Sequence, residues 1–149
     1  MRDQLVPLGW TCDDDQNQAL IVSPDGRIAI MAVSGNENTG KANVIPNVKV
    51  KRGSANTRVV NANQPTLFRM HPTAEEVLSS GKRLTWLLLR RPTENFIYAE
   101  LSLPSAMVDG KVVGWLDRII LGPIPHEFSF VADQDSGDGE IDIPIRKRQ

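Results

Sequence analysis

Short apolar runs separated by turn residues, several of them alternating with polar positions, make up most of this chain, a pattern that predicts β-strands. The first unit spans Ala19 to Val33, two apolar runs flanking Pro24-Asp25-Gly26, where glycine supplies the positive φ of a tight hairpin turn. Arg83 to Arg90, with Leu87 and Leu89, reads as a strand that Pro92-Thr93-Glu94-Asn95 interrupts. Phe96 to Leu103 then alternates cleanly, with Ile97, Ala99, Leu101 and Leu103 on one face and Tyr98, Glu100 and Ser102 on the other. These two segments are expected to pair antiparallel. Val108-Asp109-Gly110-Lys111 is a further turn signal, leading into residues 112–121, which fit either a strand or a helical face through Leu116, Ile119 and Ile120. Gly122-Pro123-Ile124-Pro125 ends that segment. Phe128 and Phe130 alternate in an expected penultimate strand, and Ile141, Ile143 and Ile145 in a last one, where Pro144 favours a sheet edge.

Two segments break this pattern. Residues 34–65 hold seven asparagines and little hydrophobic weight, a basic, Asn-rich excursion too long for a structureless loop. Within it, Asn47–Lys51 and Thr57–Asn61 are expected to form a second hairpin around Arg52–Asn56, with Lys49 and Lys51 on one face. One short helix is expected from Pro72, where a first-turn proline costs no hydrogen bond, to Gly81, with Ala74, Val77 and Leu78 as its apolar stripe and Thr73/Glu76 as a capping box. The predicted architecture is therefore a single β-dominated α+β domain over residues 1–149, an antiparallel meander of six or seven strands with one short helix, ending in a frayed basic tail at 146–149. Its expected core is Leu20, Val22, Ile28, Ile30, Val77, Leu78, Leu87, Leu89, Ile97, Ala99, Leu101, Leu116, Ile119, Phe128, Phe130 and Ile143.

Composition adds bounds. The chain has 149 residues, 40% of them hydrophobic and one of them a cysteine, Cys12. One core is affordable at that length, and an internal disulfide framework is excluded. No apolar run approaches a membrane span, and the opening residues lack a secretory signal, so a cytoplasmic protein with no membrane partner is expected.

The net charge of −1 hides a division. Residues 1–37 carry two basic and six acidic side chains, residues 38–91 ten basic and two acidic, and residues 92–149 five basic and ten acidic, giving −4, +8 and −5. No acidic residue lies between Asn38 and Ala74, whereas Lys41, Lys49, Lys51, Arg52, Arg58 and Arg69 do. These six are the candidate anion-binding residues.

Other chemistry is weaker. Gly35 to Lys41 has the glycine–lysine spacing of a phosphate-binding loop, yet Ala42 stands where a magnesium-binding hydroxyl belongs, and Pro46 opposes a following helix. Asp133 to Asp142 has the carboxylates of a calcium loop in the wrong register, so a solvated turn is the expectation. Cys12 is expected to be buried and structural, His71 to flank the helix start at Pro72, and the His126-Glu127 pair is too isolated for a zinc site. Glu100 is expected to be a surface carboxylate; were it buried, Arg90 or Arg91 would be its partner. With no catalytic constellation, cofactor or metal indicated, the expected function is a non-catalytic binding module. Its basic hairpin, about residues 41–69, would engage an acidic protein surface, nucleic acid (for which Asn47, Asn56 and Asn61 could add contacts) or a second copy of the chain. A small hydrolase with a scattered site is the other reading.

Overall fold

The structure, a computed structural model, describes residues 1–14, 19–63, 75 and 81–126. Six strands form one sheet in sequence order: β1 (Thr11–Asp13), β2 (Leu20–Val22), β3 (Ile28–Ser34), β4 (Leu84–Pro92), β5 (Phe96–Val108) and β6 (Lys111–Pro125). Among the described residues two short α-helices have both ends in view, α1 (Arg2–Leu5), followed by a 3-10 turn at Val6–Leu8, and α2 (Ser54–Asn61), and Glu75 is also helical. The protein is thus a strand-dominated α+β fold with a mostly antiparallel sheet.

The β2–β3 hairpin forms where the Pro24-Asp25-Gly26 signal placed it, with Gly26 at φ +73°. Ser23 reinforces it: its hydroxyl donates to Asp25 Oδ1 at 2.6 Å and accepts the Ile28 N–H at 3.0 Å. The β5–β6 hairpin turns on Asp109 (φ 50°) and Gly110 (φ 75°), the pair of positive φ values that a two-residue turn of the right twist requires. A Cβ on Gly110 would fall on the Arg52 carbonyl oxygen and lie 2.7 Å from the Arg52 nitrogen. Gly110→Ala therefore combines left-handed strain with a backbone clash, and a loss of about 2–3 kcal/mol is expected in urea unfolding.

Two expectations are corrected and one open alternative is decided. The meander is broken between β3 and β4, which pair in parallel from Ile28/Leu84 to Ser34/Arg90, so residues 35–83 form a crossover between them. A parallel neighbour cannot be reached by a tight turn, which is why the excursion is long. The second hairpin is absent: Val48 makes only an isolated bridge to Gly35, and Thr57–Asn61 belongs to α2. Val59 and Val60 had suggested a strand, but in α2 Val60 is fully buried against the sheet and tertiary packing overrides the β-branched preference. Residues 112–121, left open by their pattern, are strand throughout.

The crossover explains which sheet face is best buried. Val48 and Val60 pack with Leu20, Val22, Met31, Val33, Leu87, Leu89, Met107 and Val112 in the main core, while Leu84 and Leu103 form a smaller cluster with Trp86 and Leu116 on the other side. Of the expected core, Leu20, Val22, Ile30, Leu87, Leu89 and Ala99 are buried, Ile28, Ile97, Leu101 and Leu116 are half-buried, and Ile119 is exposed. Val77, Leu78, Phe128, Phe130 and Ile143 lie outside the described residues, as do the last two expected strands and the basic tail. Of the helix expected from Pro72 to Gly81, Glu75 is described and helical, and Gly81 has φ +78°.

Asparagine side chains tie the crossover to the strands by imitating backbone. Asn47 exchanges two bonds with Val112, its Nδ2 donating to the carbonyl at 2.8 Å and its Oδ1 accepting the N–H at 3.0 Å. Asn61 does the same with Met107, at 3.2 and 2.8 Å. Asn63, fully buried, accepts the Thr85 N–H and donates to the carbonyls of Thr85 and Pro104.

Candidate functional site

Two places in the fold gather the residues singled out by sequence. The first is Glu100, which is fully buried rather than a surface charge. Its partner is not Arg90 or Arg91 on β4 but Arg118 on β6, which donates from Nε to Oε1 and from Nη2 to Oε2, both at 2.9 Å. Ser102 adds a donor to Oε1 at 2.6 Å, and the Gly40 N–H one to Oε2 at 2.7 Å. Arg118 also reaches the carbonyls of Val44 and Lys41, at 2.9 and 3.0 Å.

This arrangement decides the fate of the phosphate-loop spacing. The Gly35–Lys41 loop does present a backbone N–H to an anion, but the anion is the chain's own Glu100 carboxylate. Gly40, at φ +77°, lies against Tyr98 and Ala99 of β5, and Gly35 packs on the buried Thr39 hydroxyl. The loop is thus a closed structural clamp. A carboxylate with both oxygens engaged and no exposed surface is an anchor for residues 40–44, not a proton shuttle.

Burial pushes the Glu100 carboxyl up, but the Arg118 hydrogen bonds, the Ser102 hydroxyl and the Gly40 N–H outweigh it, so its pKa lies below the ordinary 4.5. The Ser23 hydroxyl and the Arg27 N–H likewise hold Asp25 below its ordinary 3.8. A folded-state value below the unfolded one gives stability that is fully present above about pH 4.5, the ordinary glutamate value, and is lost as pH falls through the folded value. Urea midpoints measured from pH 7 to pH 3 should therefore decline on the acid side, and Glu100→Gln should flatten that decline.

The second place is the tip of the β5–β6 hairpin, where three of the six candidate cations collect. Lys49 and Lys51 are exposed and Arg52 is half-buried. The Arg52 N–H donates to the Gly110 carbonyl at 3.0 Å, which sets this segment beside the turn. Lys111 joins them, its ammonium donating to the carbonyls of Val48 and Lys49 at 2.7 and 3.3 Å. Arg58 is exposed on α2. Lys41, also exposed, lies apart from this group, with its carbonyl on Arg118 halfway along β6. Arg69 is outside the described residues.

Sequence reasoning missed Lys111, which it counted in an acidic block, and three exposed valines around the same tip: Val50 (62%), Val108 (55%) and Val113 (61%). The Asp109-Gly110 turn was a signal for the hairpin, but not for what would pack beside it. Asn47 and Asn61, considered for base contacts, spend their amides on Val112 and Met107, and Asn56 is half-buried in α2.

The remaining candidates do not assemble. Cys12 is exposed on β1, contrary to the expected burial. His126 is exposed at the end of β6, lining a depression of about 350 Å³ with Glu94, Asn95, Phe96 and Pro125. His71 and the 133–142 stretch lie outside the described residues. Among the described residues, no group of three or more His, Cys, Asp or Glu could hold a metal ion, and no helix is long and apolar enough to cross a membrane.

Fold and site together define, among the described residues, an α+β fold on a six-stranded sheet, with a crossover clamped by an internal carboxylate and a basic, valine-bearing hairpin tip. No family model, curated protein or solved structure matches the chain.

Proposed function

We propose that the protein is a docking module that binds an acidic protein surface through the tip of the β5–β6 hairpin. The observation that carries this reading is the mixture found there: Lys49, Lys51, Arg52 and Lys111 interleaved with the exposed Val50, Val108 and Val113. Cations around small apolar patches suit a protein partner, for which buried apolar area supplies affinity and the charged rim supplies steering and register. Nucleic acid would favour stacking platforms, and no aromatic residue occurs between Trp10 and Phe68. The backbone beneath the patch is fixed by Asn47, Lys111 and the Arg52–Gly110 bond, so little ordering entropy opposes binding.

The test is a titration of isotope-labelled protein with a synthetic peptide of alternating glutamate and leucine, at low and at high salt. Shifts should concentrate at Lys49–Arg52 and Val108–Val113 and weaken with salt. Lys49→Glu with Lys51→Glu should lower the affinity about tenfold while leaving stability within about 0.5 kcal/mol. Tighter binding to duplex DNA than to the peptide, with a steep salt slope, would replace the protein partner by nucleic acid.

A further inference from the structure

Lys49 also belongs to a second grouping, on the sheet face turned away from the main core. Ser34, at the end of β3, stands in parallel register with Arg90 on β4. The Gly35–Val48 bridge sets Lys49 opposite Ser34 on its other side, and the Lys49 N–H donates to the Ser34 carbonyl at 2.8 Å. Each of the three follows a residue of the main core, Val33, Leu89 and Val48, so alternation turns all of them outward on one face. All three are exposed, and none has a side-chain hydrogen bond or ion pair among the described residues.

The row has the spacing and the chemistry of an oxyanion site. Neighbouring strands lie about 4.8 Å apart, so Lys49 and Arg90 stand about 10 Å apart with the short Ser34 hydroxyl between two long cationic side chains. Main-chain bonds fix the row, the Lys49 N–H on one side and, on the other, the Gly35 N–H to the Arg90 carbonyl at 2.9 Å. Lys111 brings a further cation beside it, its ammonium 3.3 Å from the Lys49 carbonyl. The carboxylates that come close along the chain are Glu37 after β3, Glu94 after β4 and Asp109 at the hairpin tip. Each is exposed and without an ion pair among the described residues, so none neutralises Lys49 or Arg90 by contact. Asp117, the exposed acid farther along β6, accepts the Arg118 N–H. A carboxylate has two oxygens, which the Arg90 guanidinium fork fills alone. A phosphate monoester has three terminal oxygens and close to two negative charges, and takes the fork, the ammonium and the hydroxyl together.

We infer that Lys49, Ser34 and Arg90 form a binding site for a phosphate monoester, carried by a phosphorylated residue of the acidic docking partner. Lys49 is common to the row and to the hairpin-tip patch, so phosphorylation of the partner adds a contact at the edge of a surface that already holds it. The exposed Val50, Val108 and Val113 of that patch favour a protein as the carrier of the phosphate. The inference rests on the docking reading for the peptide that bears the phosphate, but not for the phosphate site itself.

The experiment titrates the isotope-labelled full chain with the glutamate–leucine peptide, with the same peptide carrying one central phosphoserine, and with inorganic phosphate. The phosphopeptide should bind about tenfold more tightly than the unmodified peptide, with added amide shifts at Ser34, Lys49 and Arg90. Inorganic phosphate alone should shift the same three amides. Arg90→Ala should abolish the tenfold ratio, and Arg90→Lys should recover only part of it, because an ammonium keeps the charge but not the fork. Arg90 is exposed, so an unchanged melting temperature in both variants shows that the ratio, not the fold, was altered. Equal affinity for the two peptides overturns the inference while the docking reading stands. Shifts at the three amides with inorganic phosphate, with neither peptide bound, overturn the docking reading while the phosphate site stands. A tenfold ratio that survives Arg90→Ala places the phosphate elsewhere and overturns the inference. Duplex DNA bound more tightly than the phosphopeptide, through the same three amides, would overturn the assignment of the phosphate to a protein.

Discussion

Arg118→Ala is expected to destabilise the protein by about 3–5 kcal/mol, the cost of leaving a buried charge without its partner. The two members of the pair are not equivalent. The Glu100 side chain has no exposed surface, whereas Arg118 retains 20% exposure. Removing the arginine strands a carboxylate that water cannot reach, and removing the carboxylate leaves a guanidinium that partial hydration and the carbonyls of Lys41 and Val44 still satisfy. Glu100→Gln should therefore cost less than Arg118→Ala. In Arg118→Ala the stranded carboxyl will take up a proton, because burial then acts without its principal opposing donor. Its deficit against the natural protein should consequently shrink as pH is lowered toward 4. Melting temperature falls by about 2–4 °C per kcal/mol for a chain of this size, so calorimetry at pH 7 and pH 5 reads both effects. Hydrogen exchange at the Gly40 amide supplies a local measure, since that N–H bonds directly to Glu100. A large change in melting temperature with unchanged exchange at Gly40 would contradict the role of the pair as the anchor of residues 40–44.

The second large effect is expected at Asn63. Extending the β4–β5 register by two residues beyond Leu87/Ser102 sets Thr85 opposite Pro104, which has no N–H to give the ladder. The Asn63 amide supplies the missing donor, to the carbonyls of Thr85 and Pro104, and takes the Thr85 N–H on its oxygen. Asn63→Ala leaves that N–H and both carbonyls without a partner in a fully buried place, and a loss of about 3 kcal/mol is expected. Asn63→Asp should be worse than alanine at neutral pH, because it points a carboxylate oxygen at two carbonyls in place of a donor. That ordering, aspartate below alanine in urea midpoint, separates hydrogen-bond complementarity from simple filling of space. The reverse ordering would show that volume, not the donor pattern, governs the site.

The strand pattern was legible because alternation is a local property. The β2–β3 turn, the β5–β6 turn and the strands containing Leu87, Leu89 and Ala99 all follow from it. Glu100 shows where it ends. Alternation put Glu100 and Ser102 on the face opposite Leu101 and Leu103, and a polar pair on one face normally means solvent. The crossover covers that face, so the same polar residues had to find partners inside, and the arginine they found is eighteen residues away on the next strand. The Asn-rich excursion misled for a related reason. Its asparagines suggested turns and ligand contacts, yet Asn47, Asn61 and Asn63 serve as side-chain substitutes for a backbone ladder that the crossover cannot itself join.

For the candidate site, sequence identified the basic residues but not their grouping. Lys49, Lys51 and Arg52 are neighbours in the chain, whereas Lys111 and the valines at 108 and 113 come to them through the Arg52–Gly110, Lys111–Val48 and Asn47–Val112 hydrogen bonds. By itself, then, the sequence determined the strands around residues 20–33, Leu87 and Ala99, two of the tight turns and a basic middle section with acidic flanks, all set by short-range spacing and composition. The tertiary structure decided that β3 and β4 run parallel, that the phosphate-loop spacing closes on an internal carboxylate, and that part of the basic section shares a surface with the β5–β6 hairpin. Each of those outcomes depends on which distant groups can satisfy a buried donor, acceptor or charge, and that is fixed only when the crossover packs onto the sheet.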